Sequence, residues 1–135
     1  MLKKISHIGI AVGSLKAAIP LYRDTFRMTF RGVEEVPGYQ VNVAFFQIGE
    51  SKIELLEPSS EGGFLAEFLE THGEGFHHIA YEVEDIDAAI RELVANGTRM
   101  IDTIPRLGAH GARVAFIHTE SSQGVLTELC AAATD

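Results

Sequence analysis

The chain has 135 residues, 46% of them hydrophobic, which is enough for one compact domain that buries about two-thirds of its unfolded surface. A formal net charge of -8 argues against nucleic acid as a partner and against a polybasic membrane patch, while a metal or a local basic cluster can still receive a small anion. The single cysteine, Cys130, cannot close an internal disulfide and fits a reducing compartment.

The opening stretch, "MLKKISHIGIAVGSL", sets two lysines before an apolar run as a signal peptide does, but Ser6, His7 and Lys16 interrupt it. It reads instead as a first strand, with Ile8, Ile10 and Val12 on one face and Ile5, His7, Gly9 and Ala11 on the other. No segment approaches the roughly 18 uninterrupted apolar residues of a membrane span, so a cytoplasmic protein is expected. Ser14 caps a helix with Leu15, Ile19, Tyr22 and Phe26 at helical spacing, and Pro20 inside it predicts a kink or a late start. The "PG" at 37 and 38 turns one strand into the strand "YQVNVAFFQI", and "GES" at 49 to 51 turns that strand into "KIELLE". The first 58 residues therefore read β-α-β-β-β.

A short helix is expected near "GFLAEFLETHG", then the strand "FHHIAYEV". A helix follows, capped by Asp85, carrying Ile86, Ala89, Ile90 and Leu93, and stopped by Gly97. Strands are expected near 99 to 104, at "ARVAFIH" and at "GVLTELC". The predicted organisation is one domain over residues 1–135, with one module at about 1–58, a linker with a short helix at about 59–72, and a second module at about 73–131.

The two modules are related by an internal repeat. A shift of 71 residues lays His7-Ile8 on His78-Ile79, Val12 on Val83, Ala17-Ala18-Ile19 on Ala88-Ala89-Ile90, and Val43-Ala44-Phe45 on Val114-Ala115-Phe116. The register then slips by three, consistent with a longer "TESSQG" turn, and Glu54 falls on Glu128. Each βαβββ module carries one histidine on its first strand and one glutamate on its last. His77 is matched by Ser6 and sits on the other side of its strand from His78, so His78 is assigned to a site and His77 to a supporting role.

Carboxylates inside apolar strands are costly to bury unless paired or coordinated. Two modules about an approximate two-fold axis are expected to gather His7, Glu54, His78 and Glu128 as ligands of one divalent metal in a cleft. Imidazole and carboxylate suit Co, Ni, Mn or Zn, and with no thiolate expected nearby a structural zinc is disfavoured. Four protein ligands on an octahedral ion leave two positions for a bidentate oxygen ligand. His72, His110 and His118 lack a repeat mate: His118 is expected to end a strand, and His110 lies in the loop "LGAHGAR", expected to face substrate. The acidic run "EVEDID" reads as a solvated helix entry.

With His7, Glu54, His78 and Glu128 in paired modules, the chain resembles the vicinal oxygen chelate superfamily of glyoxalases, extradiol dioxygenases, fosfomycin-resistance enzymes and bleomycin-binding proteins. Within it, "SHIGIAV", "IELLEP", "GEGFHHIAYEV", "LGAHGARVAFIH" and "GVLTEL" resemble the methylmalonyl-CoA epimerases across nearly the whole chain. The resemblance implies an α+β fold whose two modules form a curved mixed sheet around a metal-binding cleft. It also implies an acyl-CoA substrate, a homodimer, and an enediolate reached by metal-assisted removal of the proton between thioester and carboxylate. Glu128 matches both a metal ligand and a catalytic base of that family. Some members carry a second glutamate where this chain has Val43, which leaves the second base open between Glu54, a water and a nearby polar side chain.

Glyoxalase I, acting on glutathione hemithioacetals, would use the same ligands, although "TESSQG" replaces its usual "DPDG"-type turn. A non-catalytic small-molecule binder would not be expected to keep all four ligands. An extradiol dioxygenase needs three open metal positions and is disfavoured.

Overall fold

Residues 1–133 are described by a computed structural model. The chain runs β1 (Leu2–Ala11), α1 (Leu15–Pro20), β2 (Thr29–Val36), β3 (Val41–Ile48) and β4 (Ser51–Pro58), then α2 (Phe64–His72). It continues through β5 (Gly75–Val83), α3 (Ile86–Ala95), β6 (Arg106–Leu107), β7 (Arg113–Ile117) and β8 (Thr127–Ala131). The order β-α-β-β-β thus occurs twice, with α2 between, as the internal repeat predicts.

Strand pairing is repeated too. The order β2-β3-β4-β1 matches β6-β7-β8-β5, with β1 parallel to β4 and β5 parallel to β8, and the hairpin neighbours antiparallel. A parallel pair needs a long connection, and here helix and hairpin together supply it. The result is an α+β fold with mixed pairing. Two compact units can be distinguished: His7–His77, and Met1–Ser6 with the chain from His78 onward.

In the first unit, Val12, Leu15, Ala44, Phe46 and Leu55 form a core, with Ile10, Ile19 and Tyr22 packed on it. Ser14 Oγ accepts the Ala17 N–H at 3.2 Å and starts α1. Glu57 on β4 accepts the Leu15 N–H at 2.9 Å and Asn42 Nδ2–H at 3.1 Å, tying that helix start to two strands. Pro20 does not end the helix. It hands over to one π turn, Leu21–Thr25, closed by the Phe26 N–H on the Leu21 carbonyl at 2.9 Å, the local adjustment a proline without a donor favours. After β2, a 3-10 turn over Pro37–Tyr39 ends at left-handed Gln40 (φ 55°), so β3 begins at Val41, two residues later than its sequence pattern predicts.

In the second unit, Ile86, Ala89 and Ile90 of α3 pack on Ala115, Ile117 and Leu129. Asp85 accepts the Ala88 N–H at 3.0 Å, and Gly97 takes the positive φ (89°) that follows the helix. The strand expected near 99 to 104 is replaced by an isolated bridge between Met100 and Ile117, and the short β6 lies further on. Two local causes act there. The Asp102 carboxylate accepts the Phe116 N–H at 2.9 Å where a strand would offer a carbonyl, and Pro105 has no N–H to contribute. Gly124 (φ 88°) belongs to the turn before β8, so that strand starts at Thr127.

Candidate metal and proton-transfer site

The repeat holds at the level of strand register. Gly9 faces Glu54 across β1 and β4, and Ala80 faces Glu128 across β5 and β8. Gly9 and Ala80 each lie two residues beyond the strand histidine, so side-chain alternation puts His7 with Glu54, and His78 with Glu128, on one face of their own strand pair. Across the antiparallel ladders the residues opposite the glutamates are Phe45 for Glu54 and Phe116 for Glu128. Each carboxylate therefore has a small residue on one side, an aromatic ring on the other, and a histidine diagonal to it.

Both pairs are in near contact. His7 Nδ1 is 3.2 Å from Glu54 Oε2, and His78 Nε2 is 3.7 Å from Glu128 Oε1. Exposure is 7% for His7, 8% for Glu54, 4% for His78 and 6% for Glu128, so neither carboxylate points to water from a sheet edge. The His78 ring meets Phe116 edge-on, with centroids 5.6 Å apart at 77°.

Burial controls ionisation in the first pair. It pushes His7 down to about 3, with the charge of Lys52 adding to the effect, so the imidazole is neutral at physiological pH and keeps a lone pair to give. Burial also pushes the Glu54 carboxyl up to about 7, against Lys52 and with help from the negative charge of Glu34. A divalent cation would relieve that cost and favour the carboxylate. Within each pair, imidazole and buried carboxylate are a donor set that suits Mn, Co, Ni or Zn.

One expectation needs correcting. A thiol does lie near a proposed ligand: Cys130, two residues along the same face of β8, has its sulfur within 4.8 Å of a Glu128 carboxylate oxygen. The period of two in "ELC" contains that information, because residues 128 and 130 of a strand share a face.

The remaining histidines separate from the pairs. His77 points away from the His78 face and packs edge-on against Phe68 of α2, centroids 4.7 Å apart, while His72 stacks flat on the same Phe68 ring at 4.6 Å. His118 follows the end of β7, as expected, and its Nδ1 accepts the Glu120 N–H at 3.1 Å. His110 stands exposed in a left-handed position (φ 57°) of the turn between β6 and β7. In the "GEG" motif, Glu74 accepts the Gly13 N–H at 2.8 Å and anchors the chain after β1.

Val43 is 2% exposed and pairs with Leu56 and Glu34, so an apolar side chain fills this position of the face. Two charged residues that the sequence pattern did not single out share the His7 face. Lys52 is the register partner of His7, and Glu34 is the register partner of Val43. Lys52 was legible in "KIELLE" as the residue two before Glu54; Glu34 needs the β2–β3 pairing, which no local pattern reveals.

Comparison with known proteins gives the family. Residues 6–116 match the glyoxalase/bleomycin resistance protein/dioxygenase superfamily. An ethylmalonyl-CoA/methylmalonyl-CoA epimerase of Cereibacter sphaeroides is 41% identical, covering 96% of this chain and 98% of that protein. The uncharacterized protein YqjC of Bacillus subtilis is 40% identical, covering 96% and 92%. A solved methylmalonyl-CoA epimerase in complex with methylmalonyl-CoA and NH4+ superposes with a TM-score of 0.95 at 36% identity, covering 99% of this chain and 97% of that one. The chain belongs to the glyoxalase/bleomycin resistance protein/dioxygenase superfamily, and methylmalonyl-CoA epimerases are among its relatives there.

Proposed function

We propose that the protein is a metal-dependent epimerase that inverts the carbon between thioester and carboxylate of methylmalonyl-CoA. The observation that carries the reading is the doubled buried His/Glu pair, His7 with Glu54 and His78 with Glu128, set in equivalent register. Full-length relatives that are epimerases support the choice of substrate. When bound, the cation supplies positive charge for the oxygen on which negative charge develops as the proton leaves.

The chain's own residues do the rest. His7, Glu54 and His78 would hold the ion, and Glu128 would both hold it and take the proton. The C–H bond breaks as an O–H bond forms on the Glu128 carboxylate, and the electron pair moves toward the thioester oxygen. Phe45 and Phe116, opposite the two glutamates on the hairpin ladders, set an aromatic residue beside each buried carboxylate. On the resemblance of the motifs, the enzyme is further proposed to be a cytoplasmic homodimer; among the described residues no helix is long and apolar enough to cross a membrane.

The deciding experiment is proton NMR of methylmalonyl-CoA in heavy water with Co- or Mn-loaded protein and a chelator-stripped control. Fast loss of the hydrogen between the two carbonyls, with interconversion of the epimers, is the expected result. Full metal loading without exchange would overturn it. The same protein would then be assayed on a glutathione hemithioacetal, since a lactoylglutathione lyase of Haemophilus influenzae is 32% identical over 70% of this chain.

A further inference from the structure

Inversion at a carbon bearing one hydrogen requires one group to remove a proton and another to deliver one from the opposite side. The proposed function, on which this inference rests, gives Glu128 one of these tasks. The first unit contains a carboxylate placed for the other. The face that carries His7 and Glu54 also carries Lys52, Phe45, Val43 and Glu34, by the pairings of β1 with β4, β4 with β3, and β3 with β2.

Glu34 sits directly across from Val43, and Val43 sits across from Leu56, two residues past Glu54. A strand spacing of about 4.8 Å and a rise of about 3.4 Å per residue put the Glu34 and Glu54 backbones about 12 Å apart, a gap that two glutamate side chains on the same face shorten. Glu34 is half-buried, whereas the next residue, Glu35, is exposed on the other face. Lys52, the other charged residue of this face, is the register partner of His7, and an ammonium group has no lone pair with which to accept a proton.

We propose that Glu34, on the strand face that carries His7 and Glu54, is the second proton-transferring residue of the epimerisation. In one direction the Glu128 carboxylate gains the proton from carbon, and the Glu34 carboxylic acid breaks its O–H bond as the new C–H bond forms. In the other direction the roles exchange. Both groups then equilibrate with water, so no co-reactant is needed.

The test follows each separate epimer of methylmalonyl-CoA in heavy water, with metal-loaded wild type, Glu34→Gln, Glu34→Asp and Glu35→Gln, and with metal content measured for every protein. Glu34→Gln is expected to bind metal as wild type does and to invert about a hundredfold more slowly or worse. It should still exchange the hydrogen of one epimer, with retention, through Glu128, and lose exchange of the other. Glu34→Asp should recover part of the inversion, and Glu35→Gln should match wild type. Inversion at the wild-type rate in Glu34→Gln overturns the assignment, as does equal loss of exchange from both epimers or loss of the metal. If wild type itself neither exchanges nor inverts when fully metallated, the epimerase reading fails and the role of Glu34 fails with it.

Discussion

A glutamate set between a phenylalanine and a glycine keeps its charge only with help, and burial holds the Glu54 carboxyl up at about 7. The same reasoning ranks the histidines. His78→Ala is expected to lose most of the bound metal and His77→Ala far less, as metal analysis after dialysis would show; equal losses would contradict the choice of His78. Glu128→Gln should keep part of the metal yet abolish exchange at the substrate carbon, and full exchange would remove Glu128 from the base role. His77 has its own signature. Burial, with the charge of His72 adding, holds it down at about 4, below its ordinary 6.5. Between pH 6.5 and 4 the unfolded chain therefore takes up a proton that the native state refuses, so stability falls as pH falls through that window. His77→Gln should flatten the acid decline of Tm over that range, and an unchanged slope would show that His77 contributes nothing to it. The four proposed ligands were legible in the sequence because duplication repeats both residue types at matching places. Glu34 was not legible, because what brings it to the site face is a pairing between strands.

Helices and strands that obey local rules were read well, and those where a side chain competes with the backbone were not. The Asp85 cap, the Ile86–Ala89–Ile90 stripe and Gly97 fixed α3 from sequence, and Asp85→Ala should cost about 1 kcal/mol in a denaturant titration. The segment from Arg99 to Ile104 has a strand-like composition. In the fold, the Asp102 carboxylate occupies the Phe116 N–H and only Met100 keeps a bridge. Asp102→Ala should therefore leave a part-buried backbone donor unmet and destabilise the protein by about 1 kcal/mol, whereas a strand held by backbone bonds alone would notice the change little. Pro20 shows the intermediate case. The sequence announces a disturbance, and the single π turn that absorbs it depends on how the first helical segment packs over β3 and β4.

At the level of the whole molecule, the repeated β-α-β-β-β order was visible in the sequence as a shift of 71 residues, and the strand register makes the match exact at Gly9 and Ala80. Because ligands that bind only the native state add to its stability, saturating Mn or Co at about a hundred times Kd should stabilise the protein by about 2.7 kcal/mol. A chelator should reverse the gain in Tm, and His78→Ala should lose most of it; a Tm indifferent to metal would argue against a site built by the folded chain. The three-residue slip lies between β7 and β8, where Ile117 pairs with Thr127, while the equivalent Phe46 pairs with Ile53. Glu128 nevertheless keeps the place that Glu54 has, because the parallel pairing with β5 and the hairpin pairing with β7 both hold their register and the extra residues lie in the turn. The turn from Thr119 to Val125 is thus a tolerant splice point, where peptide segments of other lengths could be grafted with the register of β7 and β8 left in place.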